Sequence, residues 1–387
     1  MTTIAVAGTI ADKPYSGGLT WARLNWVLGL RKLGFEVFFL EQIAAARCTD
    51  ADGRVTRFED SENLRSFKDV TAEFGLEDSS ALIYEGGEAI HGATRVDLVA
   101  LAEGADLLVN ISGHLKLSWL LDAFRCRAYV DDDPGFTQFW LAAGALNDLV
   151  VGHHFHFTFG ENIGTAVCPI PTAEIHWRPL RPFAVLEQWP IASLPRMDRF
   201  TTVAAWRGPY GPVTHEGRAF GVKAHEFRKF IDLPSRAPQQ FEIALEIESA
   251  DQKDRDALER HGWRLCDPVT AARSPRLFRE YIQASGAECS VAKGIYVETH
   301  SGWFSDRTVC YLASGKPALV QDTGFCRRHP TEGGLVPFTT MEQAVAGART
   351  IEHDYEAHCR AARLIAEQHF DSDKVLAEFI DVVGVAP

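Results

Sequence analysis

No uninterrupted apolar run in this 387-residue chain approaches the ~20 residues that cross a bilayer. The opening MTTIAVAG has neither a basic leader segment nor a small-residue cleavage site. A soluble, cytoplasmic protein is expected. Cysteine is present without pattern: Cys48, Cys126, Cys168, Cys266, Cys289, Cys310, Cys326 and Cys359 form no C-x-x-C pair and no His/Cys ligand spacing. This argues against a disulfide framework and structural zinc, and fits reduced, mostly buried thiols. Positive charge is in short supply, 39 Lys and Arg against 52 Asp and Glu, for a net charge of -13. A nucleic-acid duplex or an anionic membrane needs a basic face, so neither partner is expected. No G-x-G-x-x-G follows the first apolar strand, which argues against a dinucleotide oxidoreductase. Internal repeats and low-complexity tracts are also lacking.

What remains is ordinary globular material, 46% hydrophobic and 24% charged, long enough for two cores. Strand and helix patterns alternate as in an α/β fold. TIAVAG reads as a buried strand and DKPYSGG as a loop; TWARLNWVLGLRKLG is an amphipathic helix closed by Gly34, and FEVFFLEQ a second strand. Gly17 and Gly18, in a loop past a parallel strand, are expected to let a ligand approach the backbone closely. ADLLVN breaks into Ile111-Ser112-Gly113-His114, and CRAYVDDDPGF ends in Asp131, Asp132 and Asp133. Polar groups past parallel strands gather on one sheet edge, so His114 and Asp131 are the acid/base candidates. In HHFHFTFGEN the histidines alternate with phenylalanines as on a strand, so metal binding is not expected. The segment PIPTAEIHWRPLRPFAVLEQWP is proline-rich and aperiodic, a stiff connector.

Alternation resumes at FTTVAAW. The first strand of this half breaks at Trp206-Arg207-Gly208-Pro209, and Lys223 opens the next helix. From His300 to Gly324 a loop feeds a helix that stops at Ala313-Ser314-Gly315, with Pro317 barring continuation and Ala318-Leu319-Val320 a buried strand. A helix start directs N–H groups and a positive dipole end at one spot, where Ser305 and Arg307 add a hydroxyl and a cation. That pattern suits a diphosphate.

This segment resembles the loop–helix–strand of nucleotide-sugar glycosyltransferases with the GT-B fold, whose donor segment reads Ser-x-Arg before a helix ending Ala-x-Gly-x-Pro. Ser305, Arg307, Ala313, Gly315 and Pro317 stand in register with it. HSGWFS is similar to the His-x-Gly-Trp-x-Ser start of the plant-type donor box, although the spacing from His300 to Pro317 is two residues longer here. The resemblance implies two Rossmann-like doubly wound domains facing an interdomain cleft: residues 1–178 for the acceptor, a linker at 179–200, residues 201–370 for the donor, and a terminal helix at 371–387 packing back on the first domain. It implies donor-diphosphate contacts from Arg207, Lys223, His300, Ser305 and Arg307, and sugar contacts from Gln321, Asp322, Thr323 and Gly324. The family's helix carboxylate falls on Cys310, so part of the grip must come from elsewhere. No Asp-x-Asp occurs in the donor half, and basic groups can neutralise a diphosphate; no metal and no other cofactor are expected. The implied reaction is transfer of a sugar from a UDP-sugar or similar donor to a small-molecule acceptor. A nucleotide-sugar epimerase and a non-catalytic nucleotide-sugar-binding protein stay open as alternatives, and so does a homo-oligomer.

Overall fold

A computed structural model describes residues 2–192 and 196–386. Residues 193–195, within the expected connector, lie outside the described residues. Contacts divide the chain into two units. The first comprises Met1–Asp132, Gly144–Thr158 and Ser372–Pro387; the second comprises Asp133–Ala143 and Phe159–Asp371.

The first unit is built on strands β1 (Thr3–Ala7), β2 (Glu36–Ile43), β3 (Ser80–Tyr84), β4 (Ala89–His91), β5 (Leu107–Ile111), β6 (Arg127–Asp131) and β7 (Phe155–Thr158) in the order β4-β3-β2-β1-β5-β6-β7. All neighbours are parallel except the β3–β4 pair. Strands covered on both faces need continuous apolar runs, and β5 is buried at every position. The helix Gly17–Lys32 packs on the last helix, Ser372–Val383. An added Cβ at Gly29 would stand 2.5 Å from Leu376 Cδ1, and Trp26 meets Phe379 edge-on at 5.2 Å. The helix starts three residues before the Thr20 expected from the sequence. Gly17 and Gly18 are its first turn, and neither needs a positive φ. Their expected place in an open loop is therefore corrected.

The second unit carries the short β8 (Trp177–Pro179), then β9 (Arg199–Ala205), a hairpin of β10 (Val213–His215) and β11 (Arg218–Phe220), β12 (Gln240–Glu246), β13 (Trp263–Cys266), β14 (Ala287–Ser290), β15 (Ala318–Gln321) and β16 (Leu335–Phe338). Its main sheet is entirely parallel, ordered β13-β12-β9-β14-β15-β16. Phe200 and Phe241 stack at 5.1 Å on adjacent strands of its core. The expected connector is held to this unit: Arg279 and Gln283 donate to the Gln188 and Pro190 carbonyls, and Trp189 is fully buried. Proline kept it extended, while its aromatic and aliphatic side chains supplied the packing.

Candidate functional site

In each main sheet the strand order reverses beside a strand early in the unit, between β1 and β5 and between β9 and β14. Crevices at the carboxyl ends of such strands are where open α/β sheets take ligands.

In the second unit the loops past β9, β14 and β15 meet this criterion. Lys223, at the start of the helix Lys223–Phe227, donates from Nζ to the Val291 carbonyl just past β14 at 3.0 Å. Burial, then repulsion from Arg307 and Lys293, pushes its pKa down to about 7 against the pull of Glu288. Three cations thus share one locality, and two of them, Lys293 and Arg307, have a carboxylate partner. Lys293 went unnoticed in the sequence, although it opens a helix after a strand just as Lys223 does. It is paired with Asp133, Nζ standing 2.8 and 2.7 Å from the two carboxylate oxygens.

Arg307 has a protein partner on each of its three nitrogens. Its Nε reaches Glu288 Oε1 at 2.7 Å, Nη1 the Val203 carbonyl at 2.9 Å and Nη2 the Ser290 hydroxyl at 2.8 Å. Burial opposes its charge, but Glu288 outweighs burial and holds the guanidinium above its ordinary pKa. Strand β14 places a wholly buried carboxylate under the first turn of the helix Asp306–Ala313, and that carboxylate captures the arginine. Ser305, the N-cap of the same helix, makes no side-chain capping bond. Arg207 is likewise engaged, bidentate on Asp251 at the surface.

His300 is exposed and holds a positive φ of 47°. Its carbonyl and that of Gly324 both accept from Asn162 Nδ2, at 3.0 and 3.1 Å. The approach requires glycine at 324, where φ is 89° and a Cβ would stand 3.0 Å from the His300 oxygen. Asp322 accepts the Gly324 N–H at 2.8 Å, closing an Asx turn. Gln321 accepts from the Ala292 N–H at 3.1 Å and donates to Glu226 at 2.9 Å, and Thr323 donates to the Trp303 carbonyl. Cys310 is buried in its helix with its thiol pushed well above the ordinary range by desolvation. Buried Glu226 is bound to Gln321 and Lys229.

In the first unit, three consecutive aspartates have three different fates. Asp131 is wholly buried and accepts from the Thr158 hydroxyl at 2.7 Å. Asp132 takes the Ser112 hydroxyl and forms an ion pair of 2.8 Å with Arg23, whose side chain is 4% exposed. Asp133 groups with the second unit. The carboxylates electrostatically coupled to His114 are Asp132 and Asp12, while Asp131 is bonded to Thr158, as a strand's alternation turns successive side chains apart. Burial opposes charge on Asp132, yet Arg23, Ser112 and His114 hold its pKa below the usual value. His114 is pushed down to about 4 by burial first and by Arg23, while Asp132 and Asp12 pull the other way and Lys116 adds to the lowering. It is a neutral imidazole at pH 7. Glycine is needed here too, since a Cβ at Gly8 would lie 2.9 Å from Arg23 Cδ. The neighbouring loop is fixed by buried Glu41, which accepts the N–H groups of Ile10, Ala11 and Asp12 at 2.7, 2.8 and 2.6 Å.

Among the described residues no group of three or more His, Cys, Asp or Glu is placed to hold a metal ion. No helix among them is long and apolar enough to cross a membrane.

No family model matches the sequence, and no curated protein does. Solved structures match along the whole chain. An alpha-glucosyltransferase (AGT) in complex with UDP aligns at TM-score 0.62 and 12% identity, covering 100% of both chains. The same enzyme with UDP-glucose and DNA containing an abasic site aligns at 0.61 and 13%, covering 99% of each. Anabaena Alr3699/HepE in complex with UDP-glucose aligns at 0.59 and 14%, covering 99% of this chain and 100% of that one. The chain is an α/β protein with two parallel-sheet, Rossmann-like units, the fold of these GT-B glycosyltransferase structures.

Proposed function

We propose that this chain is a glycosyltransferase that takes a sugar from a UDP-sugar donor without a metal ion. The observation that carries the reading is the cation cluster of Lys223, Lys293 and Arg307 at the strand-order reversal of the second unit, where burial, then repulsion from the other two cations, lowers the Lys223 pKa to about 7. A diphosphate there adds negative charge beside Lys223. The fold likeness to structures holding UDP and UDP-glucose supports the same reading.

In this mechanism the donor's phosphates accept hydrogen bonds from the Lys223 ammonium and from the helix start at Ser305, whose hydroxyl capping has not consumed. Arg307 acts at one remove: locked on Glu288, it fixes the helix that carries those N–H groups and adds its field. As the glycosidic C–O bond breaks, charge grows on the leaving UDP, and preorganised cations stabilise it more than they stabilise the bound donor. Gln321, Thr323 and Asp322 shape the loop past β15, on which the sugar hydroxyls lie. On the acceptor side, neutral His114 takes the hydroxyl proton if the reaction inverts configuration, and Asp132 stabilises the imidazolium so formed. A negatively charged chain favours a small acceptor over a duplex.

The deciding experiment is a thermal-shift titration with UDP followed by a UDP-glucose hydrolysis assay. Stabilisation by UDP with slow release of glucose supports the reading. UDP without effect on melting at millimolar concentration overturns it. Binding without any turnover, with or without acceptor, leaves a nucleotide-sugar-binding protein, for which buried Cys310 in place of a carboxylate is the relevant observation.

A further inference from the structure

The segment Asp133–Ala143 brings to the second unit a carboxylate and a row of aromatic rings that the phosphate cluster does not use. Asp133 binds the Lys293 ammonium with both oxygens and accepts from the Tyr296 hydroxyl. The same ammonium lies 5.0 Å over the Phe136 ring. From Phe136 the rings continue to Trp140 at 5.6 Å and Tyr210 at 5.2 Å, and these two meet edge-to-face at 4.9 Å and 82°. Phe139, on the same helix, stacks at 5.0 Å and 21° on Phe220 of the β10–β11 hairpin.

Exposure separates the anchors from the shelf. Phe136 is 2% exposed and Phe139 3%, as core rings are, while Trp140 is only half-buried and Tyr210 is 41% exposed. Rings serving stability alone gain most when fully buried; here two large rings are held at the surface by buried ones, beside a carboxylate and an ammonium. An exposed aromatic face flanked by a strong hydrogen-bond acceptor and donor is complementary to one class of small molecule. A pyranose lays its C–H face on the aromatic face, whose negative potential attracts those hydrogens, and its hydroxyls donate to a carboxylate and accept from an ammonium. Lys293 joins this shelf to the phosphate cluster, since it also repels Lys223.

We propose that Trp140 and Tyr210, with Asp133 and Lys293 at their polar end, form a subsite for a saccharide ring. Its place beside the phosphates rests on the UDP-sugar reading above; its saccharide chemistry does not. The ring belongs either to the donor or to a sugar acceptor, and the experiment separates them. Full-length Trp140→Leu and Tyr210→Leu, each checked for unchanged far-UV circular dichroism, are titrated calorimetrically with UDP, UDP-glucose and, in the presence of UDP, cellobiose and maltose. UDP should bind both variants within about two-fold of the parent, and a sugar-bearing probe roughly ten-fold more weakly, the equivalent of one lost ring contact. Loss of the advantage of UDP-glucose over UDP assigns the ring to the donor; loss of disaccharide binding assigns it to the acceptor. Saccharide affinity unchanged in both variants overturns the subsite. So does a parent protein that binds neither disaccharide and does not distinguish UDP-glucose from UDP. Failure of UDP itself to bind sinks the donor reading instead, and the disaccharide titrations still judge the shelf. Trp140→Phe, which keeps a ring, should retain most of the affinity.

Discussion

Arg307 Nε stands 2.7 Å from Glu288 Oε1, with the carboxylate wholly buried and the arginine side chain 13% exposed. Removing one partner strands the other's charge in a poor solvent, whereas removing both does not. Arg307→Ala should therefore destabilise the protein by about 3–5 kcal/mol in urea unfolding, and Arg307→Met with Glu288→Leu should recover most of that loss. A destabilisation below roughly 1 kcal/mol in the single variant, the range of an exposed ion pair, would show that the pair does not form in solution.

Lys223 should show the opposite trade. Its charge is disfavoured in the folded state, so Lys223→Met should leave stability unchanged or raise it, while weakening UDP binding by roughly ten- to hundred-fold through loss of a charge-assisted hydrogen bond. Parallel melting curves and UDP titrations check this. Full UDP affinity in the variant would remove Lys223 from the donor site.

The pH dependence follows from the same residue. Its pKa is about 7 in the free protein, and a bound diphosphate raises it. Below about pH 7 the ammonium is already charged; above it, binding must take up a proton. UDP affinity should thus fall as pH rises from 7 towards 9, up to about ten-fold per unit, with proton uptake visible as a buffer-dependent calorimetric heat. For stability the sign is reversed. Between about 7 and the unfolded value of ~10.4 the unfolded chain holds a proton the folded one has released, so this group makes stability rise with pH. A flat affinity profile in the parent, or a pH dependence that persists in Lys223→Met, would contradict the assignment.

His114 and its neighbours separate chemistry from structure. His114→Ala should slow sugar transfer by about 10²–10⁴-fold if it is the base, with UDP affinity unchanged. Asp132→Asn should lower transfer and push the His114 pKa further down, as followed by NMR, because it removes the group that pulls it up. Asp131→Asn should leave the histidine's titration where it was. Equal effects from the two aspartate variants would dissolve the distinction drawn from their hydrogen bonds.

Chelation gives the simplest check on the donor site. Transfer or donor hydrolysis should proceed unchanged in EDTA, since cations and helix N–H groups surround the diphosphate; an absolute demand for Mg²⁺ or Mn²⁺ would contradict this.

The sequence by itself determined the alternation of buried strands and helices, because continuous apolar runs such as ADLLVN suit only strands covered on both faces. It also determined where polar groups emerge, since Ser112, His114, Lys223 and Ser305 all follow the end of a run whose period and stop signals are local. Partnership was decided elsewhere. Glu288 lies 19 positions before Arg307 and Arg23 lies 109 before Asp132; only sheet register and helix packing bring such pairs within hydrogen-bond reach. That is why the Glu288 partner of Arg307, the Thr158 partner of Asp131 and the Arg23 partner of Asp132 were not legible in the sequence. Gly17 and Gly18 read as an open loop because glycine is a poor helix former, yet packing of Trp21, Leu24 and Trp26 repays that cost and starts the helix at Gly17. Local preference is worth tenths of a kcal/mol per residue, and burial of one such side chain about 1.5–3, so tertiary packing wins wherever the two disagree.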